Sequence, residues 1–277
     1  MRKFNSRLLK TLASLFVLVF FISTAFAQQS AVAVGDTKNF AILAGSTITN
    51  TGGTVVYGDI GLFPGTSFTG SADVVLDGEV HLTDTDASQA KDALTQAYND
   101  VAGRTPVTII PTELGGQTLL PGVYASESGT FEITGTLTLD GQGDSSAIFI
   151  FQMASTLVTA SNSKVELTNS ASSCQVYWQV GSSATLGVNS DFAGRIYASE
   201  SITLNNGAEV IGQVLAMTGA VTLDNNVISN QVCMSSQVDN GLPNTSDNLV
   251  NQVLLAVALL LIGISLLYVA KDTYKKY

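Results

Sequence analysis

The sequence predicts a mainly β fold: a right-handed triangular β-solenoid with one long α-helix packed alongside, plus hydrophobic helices at the two ends of the chain. Three observations carry this reading. A Thr-Leu pair returns at Thr118-Leu119, Thr138-Leu139, Thr156-Leu157, Thr185-Leu186, Thr203-Leu204 and Thr222-Leu223, at intervals of 20, 18, 29, 18 and 19 residues. A period near twenty residues marks a solenoid, in which each repeat buries its apolar side only by stacking on its neighbours. Large apolar residues alternate with Thr, Glu and Gly inside the repeats, as strands require. Between residues 83 and 103 the alternation gives way to helical spacing.

The first element along the chain is an export signal. Arg2, Lys3, Arg7 and Lys10 precede an apolar run from Leu12 to Ile22, and Ala25-Phe26-Ala27 matches a small-x-small cleavage pattern. Residues 1–27 therefore read as a signal peptide, with the mature chain starting near Gln28 and the solenoid occupying residues 28–233. Within it, Ala87, Ala90, Leu94, Ala97, Tyr98 and Val101 fall on one helical face over about residues 83–103. Thr83 and Asp86 form a capping-box pattern at the start, and Gly103 closes the helix. The Ala-rich face predicts close packing along one side of the solenoid.

The rungs follow. Three strands of roughly five residues, each rising about 3.3 Å per residue, plus tight corners use up a twenty-residue repeat. In Phe131-Glu132-Ile133-Thr134-Gly135-Thr136-Leu137-Thr138-Leu139 the period of two puts Phe131, Ile133, Leu137 and Leu139 inside. The threonines of the pairs then form an outward column of Thr138, Thr156, Thr185, Thr203 and Thr222. Phe192 to Ala198 aligns with Val210 to Ala216 at an offset of 18 residues. Corners come from Gly, Asn, Asp and Ser, as in Asp140-Gly141-Gln142-Gly143 and Asn205-Asn206-Gly207. The 29-residue interval holds one extra loop, Thr168 to Ser173.

After a polar linker, residues 234–252, Val253 to Ala270 is an 18-residue stretch without a charge, followed by the basic tail 271–277 with Lys271, Lys275 and Lys276. That length is close to the roughly 20 residues of a bilayer span, and the lysines would stay on the cytoplasmic side. In the linker, Leu242-Pro243-Asn244-Thr245-Ser246 resembles the sorting signal of sortase-anchored surface proteins, Leu-Pro-any-Thr-Gly before an apolar run and a basic tail. Ser246 stands where that pattern has Gly. Two readings stay open: cleavage between Thr245 and Ser246 with attachment to the cell wall, or an ordinary membrane anchor. Either places the solenoid outside the cell.

Composition narrows the function. Residues 28–250 contain five basic side chains (Lys38, Lys91, Arg104, Lys164 and Arg195) against 21 acidic ones, a formal balance of −16. Such a surface repels phosphate, which argues against nucleic-acid binding. Cys174 and Cys233 are expected to pair as one disulfide in an oxidising location, tying the long loop to the end of the solenoid. No catalytic, cofactor or metal site is expected. His81, the lone histidine, stands just before the helix and reads as a surface or capping residue. An exported carbohydrate-active enzyme would need converging carboxylates beside Arg195 or Lys164.

Several segments together resemble the microbial ice-binding protein family: Asn39 to Gly52, Gly58-Asp59-Ile60-Gly61, Pro121-Gly122-Val123-Tyr124, Ala147 to Gln152 and Tyr177 to Ser182. The resemblance runs from about Val34 to about Ser229. It implies a discontinuous triangular solenoid in which N-terminal strands complete rungs with later segments. It also implies adsorption to ice or its ordered water through a flat Thr-rich face; the chain is expected to be a monomer, and its lone histidine, scattered carboxylates and few basic residues argue against an enzyme. The outward Thr column is the candidate face. Some members carry a Thr-(Ala/Gly)-any-(Thr/Asn) motif, matched here by Thr51-Gly52-Gly53-Thr54 and Thr159-Ala160-Ser161-Asn162, which adds Thr51, Thr54, Thr159 and Asn162. Asp191 and Glu209 occupy related stretches and would disturb such a face if they lay on it. The competing reading is a surface adhesin or structural module on the same fold.

Overall fold

The computed structural model describes residues 29–235. The expected signal peptide, the sorting sequence Leu242 to Ser246, the apolar stretch 253–270 and the basic tail lie outside the described residues. Among the described residues no helix is long and apolar enough to cross a membrane.

Alternating strands assemble into three parallel ladders around one core. The first ladder runs through Val107–Ile110, Gly122–Ser126, Phe149–Met153 and Val176–Val180. It continues through the later halves of Asp191–Ala198 and Glu209–Ala216, then Phe40–Ala44, Asp59–Leu62 and Val80–Leu82. The second ladder has seven strands: Phe131–Ile133, Leu157–Thr159, Ala184–Leu186, Ile202–Leu204, Val221–Asp224, Thr47–Thr51 and Ser67–Thr69. The third joins Thr118–Leu119, Thr136–Asp140, Lys164–Thr168, the early halves of the two long strands, Val227–Ser229, Thr54–Tyr57 and Val74–Asp77. Phe131, Ile133, Leu137 and Leu139 are buried as the alternation requires, in a core that also takes Leu157, Trp178, Leu186, Leu204 and Leu223.

The chain does not climb this stack in order. It enters at Phe40–Ala44, inside the first ladder, and coils outward to Val80–Leu82 at one edge. Helix α1, Thr85–Ala102, carries it back to the opposite edge at Val107–Ile110. From there it coils forward until Val221–Asp224 pairs with Thr47–Thr51 and Val227–Ser229 with Thr54–Tyr57. The N-terminal strands thus complete the stack with later segments, and a seam between two distant chain pieces crosses all three ladders.

α1 lies on the first ladder. Ala90, Leu94, Ala97 and Val101 pack against Phe40, Leu43, Val123, Ile150, Tyr177, Tyr197 and Leu215. Its N-cap is Asp84 instead of the expected Thr83, because the Asp84 carboxylate accepts the Ala87 N–H at 2.9 Å. Gly103 closes the helix as expected. Lys91 reaches across to donate to the carbonyls of Ala216, at 2.7 Å, and Met217.

Where the third ladder turns into the first, the two long strands bend at Gly194 and Gly212, with φ of 119° and 147°. A Cβ on Gly212 would sit 1.9 Å from the Gly194 carbonyl, so glycine is required there. The chain leaves its last strand at the same corner and forms a short helix α2, Gln231–Ser235. Cys233 is bonded to Cys174 as expected, with Cα atoms 5.2 Å apart, which ties the extra loop to the chain just after the last strand.

Candidate functional site

The three ladders differ on their outer sides. The first is covered by α1. The third carries charge: Lys164 pairs in register with Asp191, and Asp191 with Glu209, while Ile211 and Val75 are exposed. Among the described residues nothing covers the outer side of the second ladder, which is lined mainly by small neutral residues. Inward Leu and Ile side chains fix its orientation, so the alternate positions must point out.

Register sets those outward positions in columns. The central column reads Glu132, Val158, Thr185, Thr203, Thr222, Thr49 and Thr69, each beside the next. Five consecutive strands therefore present threonine at one height. A second column begins with Thr130 and Thr156, whose hydroxyls lie 3.3 Å apart, and ends with Thr47 beside Ser67. Between them the register places Ser183, Ser201 and Ala220. A third column, at the edge facing the third ladder, includes Thr51 beside Asp224. Strands about 4.8 Å apart and outward residues about 6.8 Å apart along each strand make a regular hydroxyl and methyl grid.

Several expected site residues fall elsewhere. Thr185, Thr203 and Thr222 share the central column, and Thr51 lies on the edge of the same face. Thr156 is on this face but one column over, because Leu157 pairs with Ala184 and not with Leu186. Thr138 is on the third ladder, between Thr118 and Glu166. Thr54 and Thr159 are buried and point away from solvent. Thr54 bonds to Asn50 and Asn226, and Thr159 accepts the Gly187 N–H at 2.9 Å. Asn162 is an exposed corner residue with φ of 58°. Asp191 and Glu209 lie on the third ladder, so they leave the Thr columns undisturbed. Thr49 and Thr69 extend the central column and were absent from the candidate set. The signal for Thr49 was the alternation in Thr47-Ile48-Thr49-Asn50-Thr51, and for Thr69 the shorter Ser67-Phe68-Thr69.

The charged groups account for themselves structurally. Arg195 is buried under the third-to-first corner, donating to the Cys174 carbonyl at 3.2 Å and to the Gln213 side chain. It cannot reach a substrate, and Lys164 on the third ladder pairs with Glu166 at 3.4 Å. His81, Asp84 and Asp86 bring potential ligand atoms within 4.8 Å of one another, a set able to hold a metal ion. The same atoms already serve the helix start. One Asp84 oxygen caps Ala87 and the other meets His81 Nδ1 at 2.9 Å. The Ala87 N–H, aided by His81, holds the Asp84 carboxyl below its ordinary pKa. A helix N-terminus also favours anions over cations.

Known proteins share this fold. The chain is 45% identical over 199 residues to an ice-binding protein of Nostoc sp. (strain HG1), covering 71% of this chain and 73% of that one. It is 32% identical to an ice-binding protein of Flavobacterium frigoris, over 72% and 76% of the two chains. A crystal structure of an ice-binding protein from an Antarctic biological consortium superposes with a TM-score of 0.73 at 43% identity, covering 75% of this chain and 95% of that one. One from the ascomycete Antarctomyces psychrotrophicus gives 0.70 at 37% identity, over 73% and 99%. The profile described as ice-binding-like matches residues 42–229, nearly the whole coil, and the chain belongs to that family.

Proposed function

We propose that this protein adsorbs to ice through the outer side of its second ladder, as a monomer, without chemical catalysis. The observation that carries the reading is the central column, five threonines in consecutive register on the ladder that α1 leaves open, with Glu132 at its far edge strand. Each threonine offers a methyl group that restrains neighbouring water and a hydroxyl that anchors it. Backbone pairing on both sides of the five inner strands, and on one side of the two edge strands, fixes the grid before ice arrives. Many weak contacts on a preorganised surface then act together without a deep pocket.

We further infer that the ladders close as a right-handed triangular coil, the hand favoured by parallel strand crossovers. The export signal and the apolar, lysine-ended C-terminal stretch support an exported protein held at the cell surface. Membrane retention and sortase attachment through Leu242 to Ser246 both give that outcome. A tethered form would hold a cell to ice or limit ice growth at its surface.

The test is thermal hysteresis and ice recrystallisation inhibition with the purified full chain. Activity at micromolar concentration is the expected result. No activity from a folded, disulfide-bonded sample would refute the reading in favour of an adhesin or structural module.

A further inference from the structure

The central Thr column is assembled from two chain pieces. Thr185, Thr203 and Thr222 belong to the returning coil, whereas Thr49 and Thr69 belong to the N-terminal piece. Thr222 and Thr49 face each other across the seam, 173 positions apart in the chain. No turn joins these strands directly, so loop length cannot set their register. A slip of one residue along the seam would turn the N-terminal threonines inward.

The corner between the second and third ladders holds a chain of buried polar side chains at this place. Thr54 is 0% exposed, Asn226 1% and Asn50 6%. The Thr54 hydroxyl accepts the Asn226 N–H at 3.1 Å and donates to Asn50 Oδ1 at 2.6 Å. The Asn50 amide donates onward to the carbonyls of Gly52 at 2.9 Å and Gly70 at 3.1 Å. On the other side, the Asn226 amide donates to Asn205 O at 2.9 Å and Ala208 O at 3.1 Å, and its Oδ1 accepts the Asp224 N–H. The same corner continues away from the seam with Asn205 donating to Leu186 O, and Thr159 accepting from Gly187. Each donor and acceptor has a partner at one register. A slipped register would leave several of them buried and unmet, which is costly.

We propose that Thr54, with Asn226 and Asn50, is a positioning residue for the ice-binding face: it keys the two halves of the Thr column into one flat grid. The proposal rests on the ice-binding reading of the second ladder. It gives the Thr-Gly-Gly-Thr segment a role that its exposure alone does not explain. Thr51 ends a strand on the face, and Thr54, three residues later, is turned into the corner to lock it. No contact between Thr54 and ice is needed.

The experiment compares Thr54→Val, Thr54→Ser and Leu139→Ala with the unmodified full chain. Valine keeps the shape and removes the hydroxyl, serine keeps the hydroxyl, and Leu139→Ala weakens the third-ladder core far from the seam. Thermal hysteresis is read just below 0 °C, where all folded variants stay folded by circular dichroism. Amide exchange at Val55 and Asn225 reports the seam directly, since Val55 N–H donates to Asn226 O and Asn225 N–H to Thr51 O, each at 2.8 Å, and neither bonds to the Thr54 side chain. The expected result is a roughly tenfold activity loss in Thr54→Val, on the scale by which loosened supporting groups degrade a preorganised site. Thr54→Ser and Leu139→Ala should retain activity, and the two seam amides should exchange faster only in Thr54→Val. Full activity in Thr54→Val, or equal loss in Leu139→Ala, would overturn the proposal and leave the network a role in stability alone. If the unmodified chain is inactive, the ice-binding reading falls first. The seam amides still decide the rest: unchanged exchange in Thr54→Val overturns the keying role, and faster exchange supports it.

Discussion

Replacing Thr203 by tyrosine is the sharpest challenge to the Thr column. Thr203 stands mid-ladder, flanked in register by Thr185 and Thr222. Seven strands at about 4.8 Å and three outward positions at about 6.8 Å give a face of roughly 29 by 14 Å, or about 400 Å². With roughly half of that area apolar, at about 25 cal/mol per Å² of apolar surface removed from water, the face is worth ~5 kcal/mol in contact. A tyrosine ring would hold Thr203, its two cross-strand neighbours and its two neighbours along the strand off a flat solid. A strand grid paired on both sides cannot bend to recover them. Losing about a quarter of the contact, ~1.2 kcal/mol, lowers affinity by nearly one decade at about 1.4 kcal/mol per decade. Folding should be spared, because Thr203 is half-exposed and tyrosine suits an open strand position. The assay pairs thermal hysteresis with thermal unfolding, and Thr138→Tyr on the third ladder serves as control. Thr203→Tyr should lose ice activity at an unchanged melting temperature, and Thr138→Tyr should keep both. Retained activity in Thr203→Tyr would refute the assignment of the face, as would equal loss in Thr138→Tyr.

Leu157→Asp should prevent folding, since Leu157 is fully buried in the shared core and an unpaired carboxylate there has no partner; a cooperative native melting transition would contradict the inward assignment. Burial pushes the Lys91 ammonium down from its ordinary 10.5 to about 8. Between those values the unfolded chain binds more protons than the folded one, so stability should rise with pH over that window, by up to roughly 3 kcal/mol. Urea midpoints from pH 7.5 to 10.5 should show the rise in the unmodified chain and not in Lys91→Met. The same slope in both would show that Lys91 is not its source.

The mainly β, parallel-stranded fold was legible because alternation and period are local. Leu137, Leu139, Leu186 and Leu204 are buried where the pattern put them, and Asp191 and Glu209 repeat at the offset of 18 that now pairs them in register. The face was less legible, because an alternating strand looks the same on any side of a coil. Thr118-Leu119 and Thr138-Leu139 pair with each other on the third ladder, whereas Thr185, Thr203 and Thr222 line up on the second. The pair at Thr156-Leu157 keeps the inward and outward sense but is two residues out of phase with Thr185-Leu186. Leu157 meets Ala184, and Val158 takes the place in the column. A period-two pattern tolerates such a slip without a trace in hydropathy. Thr49 and Thr69 were hidden for another reason: their place depends on a pairing across the seam that no repeat interval records.

The discontinuity also explains why the second ladder is the free one. A chain that coils outward from its middle must return to the far edge of the stack, and α1 makes that return along the first ladder, using up its outer side. The coil then ends against the N-terminal piece, at the corner where the third ladder passes into the first. There Asn230 donates to Lys38 O at 2.8 Å, Gln213 donates to Thr37 O and Phe40 O at 2.6 Å each, and Cys233 joins Cys174. That corner is the one the second ladder does not touch. The return helix and the short helix α2 after the last strand therefore both fall on the other two sides. With the third ladder carrying Lys164, Glu166, Asp191 and Glu209, the same path that splits the Thr column into two pieces also keeps it clear of everything else the chain must place.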